Sequence, residues 1–330
     1  MKKKIFITGG AGYVGSRLVP YLLKKNYSIT VYDAFFYGNF LKKNKNLKIV
    51  RGDIRNKKLL KKTCKKHDTF LHLACISNDA SFELNKKISK SINYDCFESM
   101  VLIAKKNGIK RFIYASSSSV YGISKKKNVT EKSPLVPITY YNKFKAMCEP
   151  LLLKHTDPSF EGVIFRPATV CGYSPRMRFD LSVNILTNFA YNKGFIKVFG
   201  GMQLRPNLHI LDYCRVVDRL IIAKADKVAS QVFNVGHQNK TILSIANLVK
   251  KIVQKKIKNK ILIKITKSND KRSYHINSKK IESVLNFKPK YSIEHAINEI
   301  IMSFKKKLIR ESFDNDNFFN IRTLKKNRIK

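Results

Sequence analysis

The chain has 330 residues, enough for one large domain or two modest ones, and its 44% hydrophobic content supplies an ordinary globular core. No apolar run approaches the roughly 18 residues of a membrane span, and the opening "MKKKIFITGG" turns into strand too soon for a signal peptide, so a cytoplasmic protein without a membrane partner is expected. Its 66 Lys and Arg against 22 Asp and Glu give a net charge of +44, but the lysines are spread from Lys2 to Lys330 without a focused patch, which predicts a general attraction to polyanions and no specific nucleic-acid partner.

In chain order, apolar β-rich runs alternate with helical patterns. "KIFIT" leads into a helix ending near Lys25; "SITVYD" and "LKIVRGD" follow, then a lysine-studded helix and "TFLHLA". A long helix is predicted from about Phe82 to Asn107, then the strand "RFIYASS", a helix through Tyr141, and "GVIFRP". Strands separated by helices of this length imply right-handed crossovers, hence an α/β fold with a doubly wound parallel sheet of Rossmann type over residues 1–172. After Gly172 the pattern loosens into a smaller substrate lobe, approximately 173–305 and partly discontinuous, since later segments are free to return to the sheet. Residues 306–330 read as a basic polar tail with no catalytic signal. The six cysteines, Cys64, Cys75, Cys96, Cys148, Cys171 and Cys214, show no CxxC pairing, so neither a disulfide framework nor a metal site is expected.

The stretch "TGGAGYVG" places Gly9, Gly12 and Gly15 between the first strand and the first helix. The first glycine allows the tight turn, the second lets the backbone approach a diphosphate, and the third packs the helix close to the sheet. Asp33 ends the second strand, where a carboxylate accepts hydrogen bonds from both adenosine ribose hydroxyls and repels a 2′-phosphate, so NAD is expected over NADP. Arg17 and the net charge pull the other way, but diffuse charge is screened beyond about 8 Å at physiological salt. In "ITYYNKFKAMCE", side chains four apart share a helix face, which makes Tyr141 and Lys145 neighbours and pairs Tyr140 with Phe144. On spacing alone this is equally an amphipathic helix with surface lysines.

The glycine loop, "GDI" at 52–54, "HLA" at 72–74, "SSSSVYG" at 116–122 and the Tyr-x-x-x-Lys at Tyr141, in this order, resemble the extended short-chain dehydrogenase/reductases, in the nucleotide-sugar epimerase and dehydratase branch. The resemblance runs from residue 5 to about 290 and is specific for the superfamily, far less so for the substrate. It implies that Tyr141 and Lys145 are the catalytic pair, Lys145 also holding the nicotinamide ribose, and that Ser117 hydrogen-bonds the reacting sugar oxygen. It implies a dinucleotide site at Gly9, Gly12, Tyr13, Val14, Gly15, Asp33, Asp53, Ile54, Leu73, Ala74 and Asn93. On the substrate side it implies Asn184 at the nucleotide, with Arg205 and Arg272 on the diphosphate, the register of Arg272 being open. A homodimer through the Phe82–Asn107 and Tyr141–Lys154 helices is also implied, with residues such as Met100, Leu102, Ile103, Leu151 and Leu152 beyond the core stripe.

Two departures matter. The positions after Ser117 are Ser118 and Ser119, where the 4,6-dehydratases carry Asp and Glu, so dehydration is not expected. Thr169 stands where many sugar 4-epimerases carry an asparagine, and the loop beyond it adds Arg176 and Arg178, either solvated or facing a negatively charged sugar such as a uronate. The sequence therefore points to an NAD-dependent 4-epimerase acting on a nucleotide-diphosphate sugar. A 4-ketoreductase or dehydrogenase uses the same residues, and an RNA-binding protein on this fold is the reading from a different class.

Overall fold

The computed structural model describes residues 2–124, 128–267 and 273–327. Strands β1 (Lys4–Thr8), β2 (Ser28–Asp33), β3 (Leu47–Arg51), β4 (Thr69–His72), β5 (Arg111–Ala115) and β6 (Glu161–Pro167) come from the first half of the chain. The second half supplies β7 (Thr169–Cys171), β8 (Phe195–Phe199), β9 (Leu204–His209), β10 (Gln231–Val235), β11 (Gln238–Thr241) and β12 (Leu262–Thr266).

Seven of these strands form one parallel sheet in the order β10-β6-β5-β4-β1-β2-β3. Side chains alternate across a strand, so Ile5 and Ile7 of β1 face the layer containing helices Gly15–Lys24 and Ile210–Ile222, while Phe6 faces the layer containing Phe97–Lys106 and Tyr140–Leu153. Both faces are covered, which is why these strands read as continuous apolar runs. The order reverses between β1 and β4, and the crevice at the carboxyl ends of the strands there is where a doubly wound sheet takes its ligands.

The smaller lobe holds a three-stranded sheet, β11-β9-β7, and a parallel pair, β12-β8. Helices Ser182–Lys193, Ile242–Ile257 and Ile293–Lys305 pack with that pair around Val183, Ile196, Val249 and Ile297. The lobe is discontinuous: β10 returns to the edge of the main sheet beside β6.

Three expectations change. The predicted Phe82–Asn107 helix is broken into Asp79–Glu83, Lys86–Lys90, a π-helical turn at Ser91–Asp95, and Phe97–Lys106. Asn78 and Asn85 cause the restarts, their side chains accepting from the amides of Ser81 and Ile88 and so capping new first turns. Of the residues expected at a dimer face, Met100 and Leu152 are core residues, 1% and 0% exposed, and Leu102, Ile103 and Leu151 are part-buried. The segment after Lys306 folds back on the molecule, with a 3-10 turn at Asp316–Phe318 and a helix at Asn320–Lys326. Among the described residues, no helix is long and apolar enough to cross a membrane.

Candidate active site

A cleft of about 1020 Å³ opens at the switch point and runs on beneath the smaller lobe. Its floor is the glycine loop. Gly9 has φ +74°, and a Cβ there would stand 2.5 Å from the Ala74 nitrogen; one on Gly15 would stand 2.3 Å from the Gly10 oxygen. A Cβ on Gly12 would meet nothing of the protein closer than the Gly9 oxygen at 3.5 Å, so the space above Gly12 belongs to a ligand. Asp33 lines the same cleft, its carboxylate fixed by the amides of Ala11 at 2.8 Å and Phe35 at 2.7 Å. Burial raises its pKa, while the two amides and the nearby Arg176 guanidinium favour the charged form. Arg17 turns away into an ion pair with Glu299 at 2.7 Å, so it adds no phosphate-binding charge beside Asp33.

Helix Tyr140–Leu153 starts where Thr139 caps it, and Thr139 itself donates to Asp79. That start puts Tyr141 and Lys145 on the cleft side and leaves Tyr140 47% exposed, stacked on Phe82 and Phe144. Burial drives the Tyr141 phenol well above its ordinary value, Cys75 and Asp79 push the same way, and the Arg178 guanidinium opposes them. The expected ammonium–phenol contact is not the arrangement found: Lys145 Nζ donates to the Ala115 carbonyl at 2.7 Å, at the end of β5, and lies 4.9 Å from the centre of the Tyr114 ring. Arg178 is the cation that opposes the phenol's shift. Asp180 grips it at two points, 3.0 and 2.7 Å, and holds its pKa up against the burial that lowers it.

Ser117 Oγ shares a 2.7 Å hydrogen bond with Ser119 Oγ, which also bonds Asn142 Oδ1 at 2.6 Å. Ser119 is thus spent on holding Ser117 and helix Tyr140–Leu153. Tyr13, Val14, Asp53, Ile54, Leu73, Ala74, Thr169 and Arg205 all line the cleft, Asp53 with its carboxylate committed to Arg55 at 2.6 Å. Asn93 does not reach the cleft; it is 5% exposed and pins the loop after β4 through the amide and carbonyl of Ile76 at 2.8 and 2.9 Å. Asn184, 0% exposed, is likewise consumed inside, accepting from Gly172 N at 3.0 Å and donating to Tyr13 Oη and the Arg178 carbonyl, both at 3.1 Å. Arg272 lies outside the described residues. Sequence reasoning missed Tyr37, Asn320 and Ile321, all close to the dinucleotide end of the cleft. Among the described residues no cluster of His, Cys, Asp and Glu is placed to hold a metal ion.

A cradle of this kind, with glycine backbone open to a ligand at Gly12 and a carboxylate at the end of β2, fits a dinucleotide. The profile of the NAD dependent epimerase/dehydratase family matches residues 5–236, most of the chain. The chain belongs to that family. Relatives include the UDP-glucose 4-epimerase of Lactobacillus helveticus, 28% identical over 311 residues that cover 87% of this chain and 92% of that protein. The UDP-glucuronic acid decarboxylase 1 of Arabidopsis thaliana is 27% identical over 325 residues, 93% of this chain and 71% of that one. Among solved structures, MoeE5 in complex with UDP-glucuronic acid and NAD superposes with a TM-score of 0.80 at 22% identity, covering 92% of this chain and 99% of that one, which shows a shared fold. In this epimerase/dehydratase family NAD is the working cofactor, and the floor described above is the part of the chain shaped for it.

Proposed function

We propose that this protein is an NAD-dependent nucleotide-sugar epimerase acting at C4 through a transient 4-keto sugar. The observation that carries the reading is the company Tyr141 keeps. A phenol, the Ser117 hydroxyl and the glycine floor share one cleft, while the two positions after Ser117 are serines, of which Ser119 is engaged in local hydrogen bonds. Proton transfer at one hydroxyl is provided for; Ser118 and Ser119 supply neither the acid nor the base needed to expel water from neighbouring carbons.

NAD, when bound, supplies reversible hydride removal at C4. Tyr141 takes the 4-hydroxyl proton and later returns it, and Ser117 fixes the oxygen that loses it. The phenol of the free cleft is raised, so as a base it depends on cationic neighbours: Arg178 already opposes the rise, and the nicotinium charge adds to it. Lys145, anchored on Ala115, would hold the nicotinamide ribose rather than touch the phenol. Arg205, on β9 in the substrate-side wall, offers a planar fork to the substrate diphosphate. Turning the 4-keto sugar over in the pocket and returning the hydride to its other face completes the inversion with no net use of cofactor.

A second reading concerns the sugar. Arg178 beside Tyr141 supports a uronate, whose carboxylate would replace Asp180 as its partner. A 4-keto uronate is a β-keto acid, so such a substrate either inverts at C4 or loses carbon dioxide.

The test is a thermal-stabilisation screen of UDP-, GDP-, CDP- and dTDP-sugars, with and without a uronate carboxyl, where a ligand at 100 times its dissociation constant adds about 2.7 kcal/mol. Binders are then assayed without added cofactor. Turnover supported by the NAD that co-purifies is expected; dependence on added NADPH would replace the epimerase by a ketoreductase.

A further inference from the structure

Arg176 is among the largest fully buried side chains, 1% exposed, yet it lines the cleft. Its guanidinium lies 4.2 Å from the centre of the Tyr37 ring, Nη2 donates to Asn320 Oδ1 at 2.5 Å, and Nε has no acceptor. Among the described residues no carboxylate forms an ion pair with it: Asp180 is held by Arg178, and Asp33 is fixed by two backbone amides. Burial, together with the charge of Arg178, lowers its pKa to about 10. A guanidinium withdrawn from water with a donor unused and no counter-anion is costly unless a ligand supplies the anion.

The place narrows the choice of anion. Tyr37 stands four residues beyond Asp33 on the loop after β2, and the charge of Arg176 is felt by Asp33 and by Tyr13 of the glycine loop. This is the adenylate half of the cleft. Adenine is uncharged and the ribose hydroxyls are met by Asp33, so the anionic group that belongs in this half is the dinucleotide's diphosphate.

What fixes Arg176 there comes from the end of the chain. Asn320 also donates to Ser77 Oγ at 2.9 Å, on the loop after β4, and Ile321 lines the cleft. Asn327 donates to the Phe36 carbonyl at 2.6 Å, on the loop after β2. On the other side, the Phe179 amide donates to the Phe318 carbonyl at 3.0 Å, and the two rings meet edge-on at 5.8 Å. Leu324 is buried in the core layer under helix Phe97–Lys106. Residues 316–327 thus bridge the loops after β2 and β4 to the smaller lobe.

We propose that residues 316–327 form a strap that retains the dinucleotide, and that the strap acts by holding Arg176 against the cofactor's diphosphate. The inference rests on the cleft's taking NAD and not on which sugar it converts. Asn320 would hold Arg176 at the diphosphate, so that release of the cofactor requires the Asn320 contact to give way.

The test uses the full chain stripped of nucleotide, as parent, Arg176→Met, Arg176→Lys and Asn320→Ala. Binding of NAD, ADP and adenosine is measured by calorimetry and competition at 150 mM salt, NAD release by stopped flow, and folding by the thermal midpoint. Arg176→Met is expected to weaken NAD and ADP by a common factor of at least ten and to leave adenosine within twofold. Asn320→Ala keeps the charge but frees it, and is expected to speed NAD release at least fivefold. Should Arg176→Met fail to fold, Arg176→Lys, which keeps the charge but loses the planar fork, and Asn320→Ala decide the matter by the same readings. NAD affinity and release within twofold of the parent in the folded variants, or an equal loss for adenosine, would overturn the strap. A parent protein that binds NAD and turns over no nucleotide sugar would instead sink the proposed reaction and leave the strap standing.

Discussion

The glycine loop and the C-terminal segment both border the cleft and are built by different rules. The loop is local: Gly9, Gly12 and Gly15 sit within one turn of chain, and what they need is backbone space against Ala74 and Gly10 or toward a ligand. The C-terminal segment has no such internal logic. Asn320 depends on Arg176 and Ser77, and Asn327 on Phe36, partners 144, 243 and 291 residues away in the chain. A site can therefore have a floor that any reader of motifs recognises and a closure that no motif describes. Damage to the first should abolish chemistry or cofactor choice; damage to the second should change stability and exchange.

The largest effect tests the reacting end of the motif-built half. Tyr141→Phe is expected to lose more than about a hundredfold in turnover, worth about 2.7 kcal/mol, while still binding NAD, since it removes one acid/base group and little volume. Tyr140→Phe, on the exposed side of the same helix, should be nearly silent. Steady-state rates that put the two mutants the other way round would mean that the catalytic face of this helix has been misassigned.

The next effect tests the contact-built half. Asn184→Ala leaves the Gly172 amide without its acceptor and the Arg178 carbonyl without its donor. A buried group left unpaired costs about 1–3 kcal/mol, so urea denaturation should show a loss in that range. NAD affinity should change little, because Tyr13 Oη still donates to the Gly172 carbonyl at 2.8 Å. A variant of parental stability with weakened sugar-nucleotide binding would return Asn184 to the substrate surface and break the contrast.

Cofactor choice comes third. With Arg17 engaged by Glu299, Asp33 acts without a competing cation from that helix. NAD is expected to bind at least tenfold more tightly than NADP, about 1.4 kcal/mol, and Asp33→Ala to narrow the ratio. Equal or tighter binding of NADP by the parent, read by calorimetry at 150 mM salt, would assign the ribose site to another group.

The smallest effect concerns acid. His72, at the end of β4, is fully enclosed and shares a 2.7 Å hydrogen bond with Thr8 Oγ1; burial, then the Lys145 ammonium, lowers its pKa well below the ordinary value. The unfolded chain takes up this proton near pH 6.5 and the folded one does not, so the contribution is whole above that pH and is lost as the pH falls below it. Between pH 7 and 5.5 the parent should lose about 1 kcal/mol more than His72→Gln in denaturant titrations. Parallel losses would mean that His72 is protonated within the fold.

Much of the sheet was legible because its strands are covered on both faces and its helices carry clear punctuation, as Thr139 does before Tyr140. The long helix expected at Phe82–Asn107 failed at Asn85, where side-chain capping outweighs apolar periodicity, and at the π-helical turn Ser91–Asp95. Motif positions say where along the chain a residue falls, not which way its side chain points. Asn93 and Asn184 match family positions and are turned inward to bind backbone, and Lys145 reaches the Ala115 carbonyl. The C-terminal segment was passed over because its lysines dominate the composition. Its signal was present in Phe318, Phe319, Ile321 and Leu324, apolar residues with no business in a solvated tail.

The return of β10 to the main sheet sets an order of events during synthesis. The sheet lacks its outer strand until Val235 has been made, so β6 waits for its second neighbour until well into the second half of the chain. Helix Asn320–Lys326 is made only after both walls it joins exist. A nascent chain thus presents a cleft without its strap to the nucleotide pool for the whole interval between the synthesis of β10 and that of this helix.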